Sequence, residues 1–276
     1  MINFFDIHAH YTDKRYAECY RNVDFILRED FSTDVFRIIN SGTNVENSVE
    51  VIEMCKRYPQ MAASVGIHPT DAWFIEDCDY AISQIEELIR KERYEIAAVG
   101  EIGLDYHTPE LTNKEKQQYI FDQLLSLSEK YSLPAVIHCR DAMGDCMNIV
   151  RKHPNAYGAF HCFAGSAETA MELVNMGWYI SVCGNVTFKK SDKLWRVVET
   201  VGAEHLLTET DAPYMAPAPI RGTLNHSSNI RLSSEKMAEL LGMQHRDFNK
   251  ITVENAMRLF QAPKFTRENV KKGIYR

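Results

Sequence analysis

Two histidines, His8 and His10, stand two residues apart at the end of an apolar run in FFDIHAH, residues 4–10. As a pair they are equally readable as metal ligands or as two surface histidines at a strand end. The rest of the chain supplies further residues of the same kind: His68 in VGIHP, Glu101 in AVGEIGLDY, His138 in VIHCRDA, His161 in HCFAGS and Asp211 in ETDAPY. Imidazoles and carboxylates together hold divalent cations, and a carboxylate can bridge two of them. A pair of such ions activates water and clamps the attacking and leaving oxygens of a phosphoester. Glu101, arising between the two histidine groups, is the candidate bridge. Asp211 would complete the set beside His8 and His10 and accept a proton from the attacking water. Taken singly, each residue also fits a hydrogen-bonded strand end or a helix cap.

Something must bring these residues together, and the apolar pattern says what. Eight short apolar runs begin near residues 2, 35, 61, 95, 134, 157, 178 and 205. Between most of them lie amphipathic stretches such as DYAISQIEELIRKE and SAETAMELVNMG, with apolar residues near i, i+3, i+4 and i+7. Thr112 and Ser166 read as helix caps and Gly177 as a stop; the segment 11–34 is less regular. Strand alternating with helix predicts a parallel sheet with helices outside, and eight units predict an α/β chain of the (β/α)8 TIM-barrel class, a single domain over 1–276. An open doubly wound sheet is the alternative, but no GxGxxG follows the first strand. In a barrel, chemistry gathers at the C-terminal strand ends. Five of the ten histidines fall there, and the other five (107, 153, 205, 226 and 245) fall in helices or loops.

Composition narrows the setting. The chain has 276 residues, 45% of them hydrophobic, and a net charge of −7 that argues against a basic nucleic-acid coat. Bound cations can still supply positive charge locally to a nucleic-acid substrate. Seven cysteines, an odd number with no CxxC, argue against a disulfide framework and for a reducing cytoplasm. The start lacks a signal-peptide pattern, and no apolar run is long enough for a membrane span.

Around the six ligand-type residues the reading stays open. Arg140 and Arg221 could reach substrate phosphates, or pair locally and route the chain. Asn225 could meet substrate; Tyr106 and Phe163 could stack on a base or simply pack. The stretch KFTRENVKKGIYR reads as a solvated tail.

The ordered blocks DIHAH, VGIHP, AVGEIGLDY, VIHCRDA, HCFAGS, ETDAPY and PIRGTLN resemble those of the TatD family of metal-dependent deoxyribonucleases, from residue 1 to about 262, leaving 263–276 as a tail. That resemblance implies a (β/α)8 fold, two divalent metal ions, and hydrolysis of DNA phosphodiesters, often 3′-to-5′ from single strands or ends. One metal would use His8, His10, Glu101 and Asp211, and the other Glu101, His138 and His161. Glu101 and Asp211 would be the catalytic carboxylates. His68 would stand beside the substrate phosphate; Arg140 and Arg221 are further substrate-binding candidates from their positions in the chain alone. Zinc, manganese or iron suits the donors, and magnesium is an expected nuclease activator. No membrane and no obligate protein partner is expected. YTD after the first histidine pair, TDA after GIHP and NHSSN in the last block depart from the family pattern without removing a ligand. The rival hydrolase of a small lactone, amide or phosphoester would be marked by a carboxylated bridging lysine; that position is Glu101. A non-catalytic metal-binding scaffold would be marked by lost ligands, and none is lost.

Overall fold

The computed structural model describes residues 3–18 and 22–265. All eight expected strands are present, in one sheet ordered β1 to β8 as in the chain. They alternate with helices in the manner of the (β/α)8 class. The described residues fall into two compact units, 3–40 with 160–259, and 41–159 with 260–265.

The first unit begins with β1 (Phe4–Ala9), α1 (Lys14–Glu18), α2 (Val23–Ser32) and β2 (Val35–Ser41). The irregular 11–34 segment thus holds two helices. The second unit carries α3 (Val45–Arg57), β3 (Met61–Val65), α4 (Cys78–Lys91), β4 (Ile96–Asp105), α5 (Lys114–Tyr131), β5 (Ala135–Arg140) and α6 (Met143–Val150). The division between the units falls within β6 (Gly158–Phe160), after which the first unit carries α7 (Ala167–Asn175), β7 (Tyr179–Val182), α8 (Asp192–Val201) and β8 (Leu206–Thr208). The helices α9 (Ile230–Leu240) and α10 (His245–Leu259) follow.

In the first unit, β1 runs parallel to β2 and β7 parallel to β8. Just past β8 the chain bridges back to β1: Ala9 pairs with Ala212, the Asp211 N–H donates to the His8 carbonyl (3.0 Å), and the His10 N–H donates to the Ala212 carbonyl (2.6 Å). An open sheet would leave its first and last strands unjoined, so this seam excludes the doubly wound alternative. Every residue of β1 is buried, as expected for a strand covered on both faces. The α7 helix shows the capping chemistry its sequence announces. The Ser166 hydroxyl accepts from the Thr169 N–H (3.2 Å). At the other end, Gly177 (φ +90°) donates to the Val174 carbonyl and Trp178 to that of Leu173. Trp178 is then buried against Phe160, ring centroids 5.4 Å apart.

In the second unit β4 is central, parallel to β3 and β5 and buried at all ten positions. Its helix α5 is capped by Asn113, whose side chain accepts from the Lys116 N–H (3.0 Å), one residue beyond the expected Thr112. Thr112 instead donates its hydroxyl to the Thr108 carbonyl (2.7 Å). The tail expectation also needs correcting at its start. Lys264 is buried, ion-paired with Glu95, and donates to the Cys55 carbonyl. The remainder of that stretch, 266–276, lies outside the described residues. Among the described residues no helix is long and apolar enough to cross a membrane.

Candidate functional site

The first unit gathers four of the expected residues. His8 lies in β1 and His10 one residue beyond it; being two apart in an extended chain, they share a face. Their Nε2 atoms are 3.0 Å from each other and 3.7 and 3.6 Å from Asp211 Oδ1. Asp211, at φ +55°, is held there by the seam between β8 and β1. Ligands about 2.0–2.2 Å from one cation, at angles of roughly 90–120°, sit about 2.9–3.7 Å from each other. Two imidazole nitrogens and a carboxylate oxygen at these separations therefore fit a divalent ion. His161 follows β6 directly and stacks on His8, ring centroids 4.0 Å apart.

Beneath this group lies a carboxylate that sequence reasoning passed over. Asp6 is fully buried and accepts from the Thr210 hydroxyl (2.6 Å), the Thr210 N–H (3.0 Å), the Ser227 hydroxyl (2.6 Å) and the His8 N–H (3.3 Å). It ties the strand bearing His8 to the segment bearing Asp211. Burial pushes its carboxyl up to about 7 despite these hydrogen bonds. Glu209 was likewise unremarked. It is fully buried, accepts from the Cys162 N–H (2.5 Å), and is pushed well above the carboxylate range, chiefly by burial. Its Oε1 lies 3.8 Å from His161 Nδ1.

The second unit gathers the other three. Register explains how: His138 on β5 sits opposite Gly103 on β4. Residues 101 and 105 lie two positions to either side of Gly103, on the same face. The His138 ring therefore lies between two carboxylates, with Nδ1 2.9 Å from Glu101 Oε1 and Nε2 3.1 Å from Asp105 Oδ2. Burial disfavours charging His138, but the hydrogen bonds and negative charge of Asp105 and Glu101 outweigh it and bring the ring up to about 10. Asp105, another residue not singled out from sequence, is itself fixed. It accepts the His107 N–H (2.8 Å), while its backbone N–H and C=O are both satisfied by the Gln117 amide (3.0 Å each). Burial opposes its ionisation, yet the hydrogen bond from His138 and the one from the His107 N–H hold its carboxyl below the usual range. A histidine gripped by a carboxylate through one nitrogen presents the other as a ligand in a fixed tautomer.

His68 was expected apart from the ligands, beside a phosphate. Its Nε2 lies 3.4 Å from Glu101 Oε1, and the Thr70 hydroxyl is 2.7 Å from its Nδ1. It thus stands with Glu101 and His138 as one group of metal-type donors.

Among the residues expected to meet substrate, Arg140 is exposed at the end of β5, and the Arg221 guanidinium lies 4.5 Å from the centre of the Phe188 ring. Two others are occupied with packing. Asn225 is buried and donates to the Thr210 and Tyr214 carbonyls (3.0 and 2.7 Å), locking the proline-rich loop. Phe163 is buried edge-on against Phe160. The Tyr106 hydroxyl bonds to Asp145 and Gln118. Tyr11, part of the YTD departure, is buried and donates to Asp30 (2.6 Å), so it braces the first unit from within. Asp13 accepts from Arg15 and from the exposed Tyr214, whose ring faces His10 at 6.1 Å.

Residues 5–261 match the family model described as TatD related DNase. The chain belongs to the TatD-related DNase family. Its TatD relatives include a Bacillus subtilis (strain 168) protein called uncharacterized metal-dependent hydrolase YabD, 35% identical over 93% of this chain and 98% of its own length. An Escherichia coli (strain K12) protein called uncharacterized metal-dependent hydrolase YcfH is 32% identical over 92% and 94%. Among solved structures, the TatD homologue YJJV of E. coli K12 superposes with a TM-score of 0.86 at 27% identity, over 95% of this chain and 100% of that one. The (β/α)8 fold expected from the strand pattern is thus the TatD fold. The expectation of a metal-dependent hydrolase stands at the level of the family.

Proposed function

We propose that this TatD-family protein hydrolyses DNA phosphodiester bonds with two divalent cations, working from 3′ ends. The observation that supports the reading most directly is the convergence of His8, His10 and Asp211 at ligand-to-ligand spacing on a chain whose family model is named for DNase activity. In this reading His8, His10 and Asp211 hold one ion, and Glu101 and His138 hold another, with His161 completing the ligand set that the family resemblance implies. Divalent cations so bound supply a Lewis acid for the phosphoryl oxygens and lower the pKa of water.

The chain's own residues do the rest. The Asp211 side chain is 16% exposed, enough to pass a proton from the attacking water to solvent. Asp105 fixes the tautomer of His138, and Asp6 holds β1 against the Asp211 segment. His68, Arg140 and Arg221 are the proposed phosphate contacts, the arginines through paired N–H donors.

The test is incubation of metal-stripped protein with end-labelled single- and double-stranded DNA, adding back magnesium, manganese and zinc separately. A ladder shortening from the 3′ end is the expected result. Intact DNA under every metal, with cleavage of a small ester or lactone, overturns it.

A further inference from the structure

Outside the imidazole and carboxylate donors, the first unit brings two thiols into contact. Cys162 is the residue after His161, and Cys183 follows β7 directly; 21 positions apart in the chain, their Sγ atoms are 2.7 Å from each other. That is about 0.7 Å beyond the length of a disulfide bond. Both are free cysteines. Asn185 bonds to the pair, its Oδ1 accepting from the Cys183 thiol (3.4 Å) and its Nδ2 donating to Cys162 Sγ (3.9 Å). Cys183 is fully buried, whereas the Cys162 residue keeps partial exposure and is the nearer of the two to solvent.

With Glu209 these thiols also form a group that could hold a soft cation. The sulfur separation argues otherwise. Two thiolates each about 2.3 Å from one tetrahedral ion lie roughly 3.7 Å apart, well beyond what is seen here. Sulfurs this close are placed to bond to each other.

We propose that Cys162 and Cys183 are a peroxide-oxidisable dithiol that closes to an intramolecular disulfide. The Cys162 thiolate attacks a peroxide oxygen and breaks the O–O bond, giving a sulfenic acid and, after proton uptake, water. The Cys183 thiolate then attacks the Cys162 sulfur and expels the sulfenic oxygen as a second water. Two thiols and one hydrogen peroxide thus yield one disulfide and two waters, and a dithiol reductant reverses the change. The hydrogen bond with Cys183 and burial push the Cys162 thiol up, which slows the first step at neutral pH. The second step joins groups already in contact and needs no approach. Because Cys162 follows His161 and its N–H is held by Glu209, the new bond links the backbone carrying His161 to the end of β7. An effect on metal binding would rest on the function proposed above; the disulfide itself does not.

The experiment treats the purified, reduced full chain with hydrogen peroxide, counts thiols, and maps crosslinked peptides by mass spectrometry without reduction. The expected result is loss of two of the seven thiols, a mass lower by two hydrogens, a 162–183 crosslink, and full reversal by dithiothreitol. In Cys183→Ser the crosslink is lost and a sulfenic acid is trapped at Cys162 by dimedone. Three results overturn the proposal. One is a crosslink confined to Cys139 and Cys146, whose side chains also hydrogen-bond. The second is wild-type Cys162 accumulating as sulfinic acid while Cys183 stays reduced. The third is retention of all seven thiols after peroxide treatment.

Discussion

The carboxylates divide into those that could touch a cation and those that hold the ligands, and the two kinds should fail differently. Glu101→Ala and Asp211→Ala are expected to abolish hydrolysis while circular dichroism stays like wild type and the thermal midpoint stays near that of the metal-stripped wild type, because each removes donor oxygens without opening a large apolar void. Retained nuclease activity in either purified variant would defeat the two-metal reading. Asp105→Asn removes the charge that orients His138 through Nε2. Metal affinity should fall about 10- to 100-fold, as for other partners of metal-bound histidines. Competition with a chromogenic chelator measures it, and recovery in Asp105→Glu would identify orientation as the cause. The sequence offered Glu101 and Asp211 as candidates because ligand-type residues at strand ends are conspicuous. Asp6, Asp105 and Glu209 were not, because a carboxylate that holds a ligand carries no spacing signature. Asp6 is recognisable only once Thr210 and Ser227, more than 200 residues away, are seen donating to it.

At the scale of elements, the eight strands were legible because buried parallel strands read as continuous apolar runs and amphipathic helices repeat near 3.6 residues. Their register was not. His138 reaches both Glu101 and Asp105 because it is paired with Gly103, whose φ of +138° and missing side chain let the β5 backbone approach. A Cβ at that position would overlap the His138 carbonyl. Gly103→Ala is therefore expected to separate β4 from β5 locally, costing about 3 kcal/mol or more, and to weaken metal binding with it. Chemical denaturation and the chelator assay would show the two losses together. A variant of wild-type stability would mean the strands relax around the methyl group. The cap of α5 is a smaller case of the same limit. Thr112 and Asn113 are both good caps by type, and the turn at Pro109–Leu111, where Thr112 bonds back to Thr108, leaves the role to Asn113.

For the molecule as a whole, bound cations that prefer the folded chain must stabilise it by mass action. At a hundred times its dissociation constant, an ion adds about 2.7 kcal/mol, so the metal-stripped protein should melt several degrees lower and recover as metal is returned. A melting temperature indifferent to chelation would show that the donor groups bind no ion in the folded state. The sequence by itself determined the strand–helix order, the fold class and the residue types able to ligate metal, because burial period and donor chemistry are local properties of the chain. Only the tertiary structure decided that Asp211 is pinned to the end of β1, that His138 lies between two carboxylates, that Asn225 and Phe163 are packing residues, and that Lys264 is buried against Glu95 rather than solvated. Those outcomes depend on strand register, close backbone approach and hydrogen-bond partners far apart in sequence, and local pattern carries no information about distances across the fold.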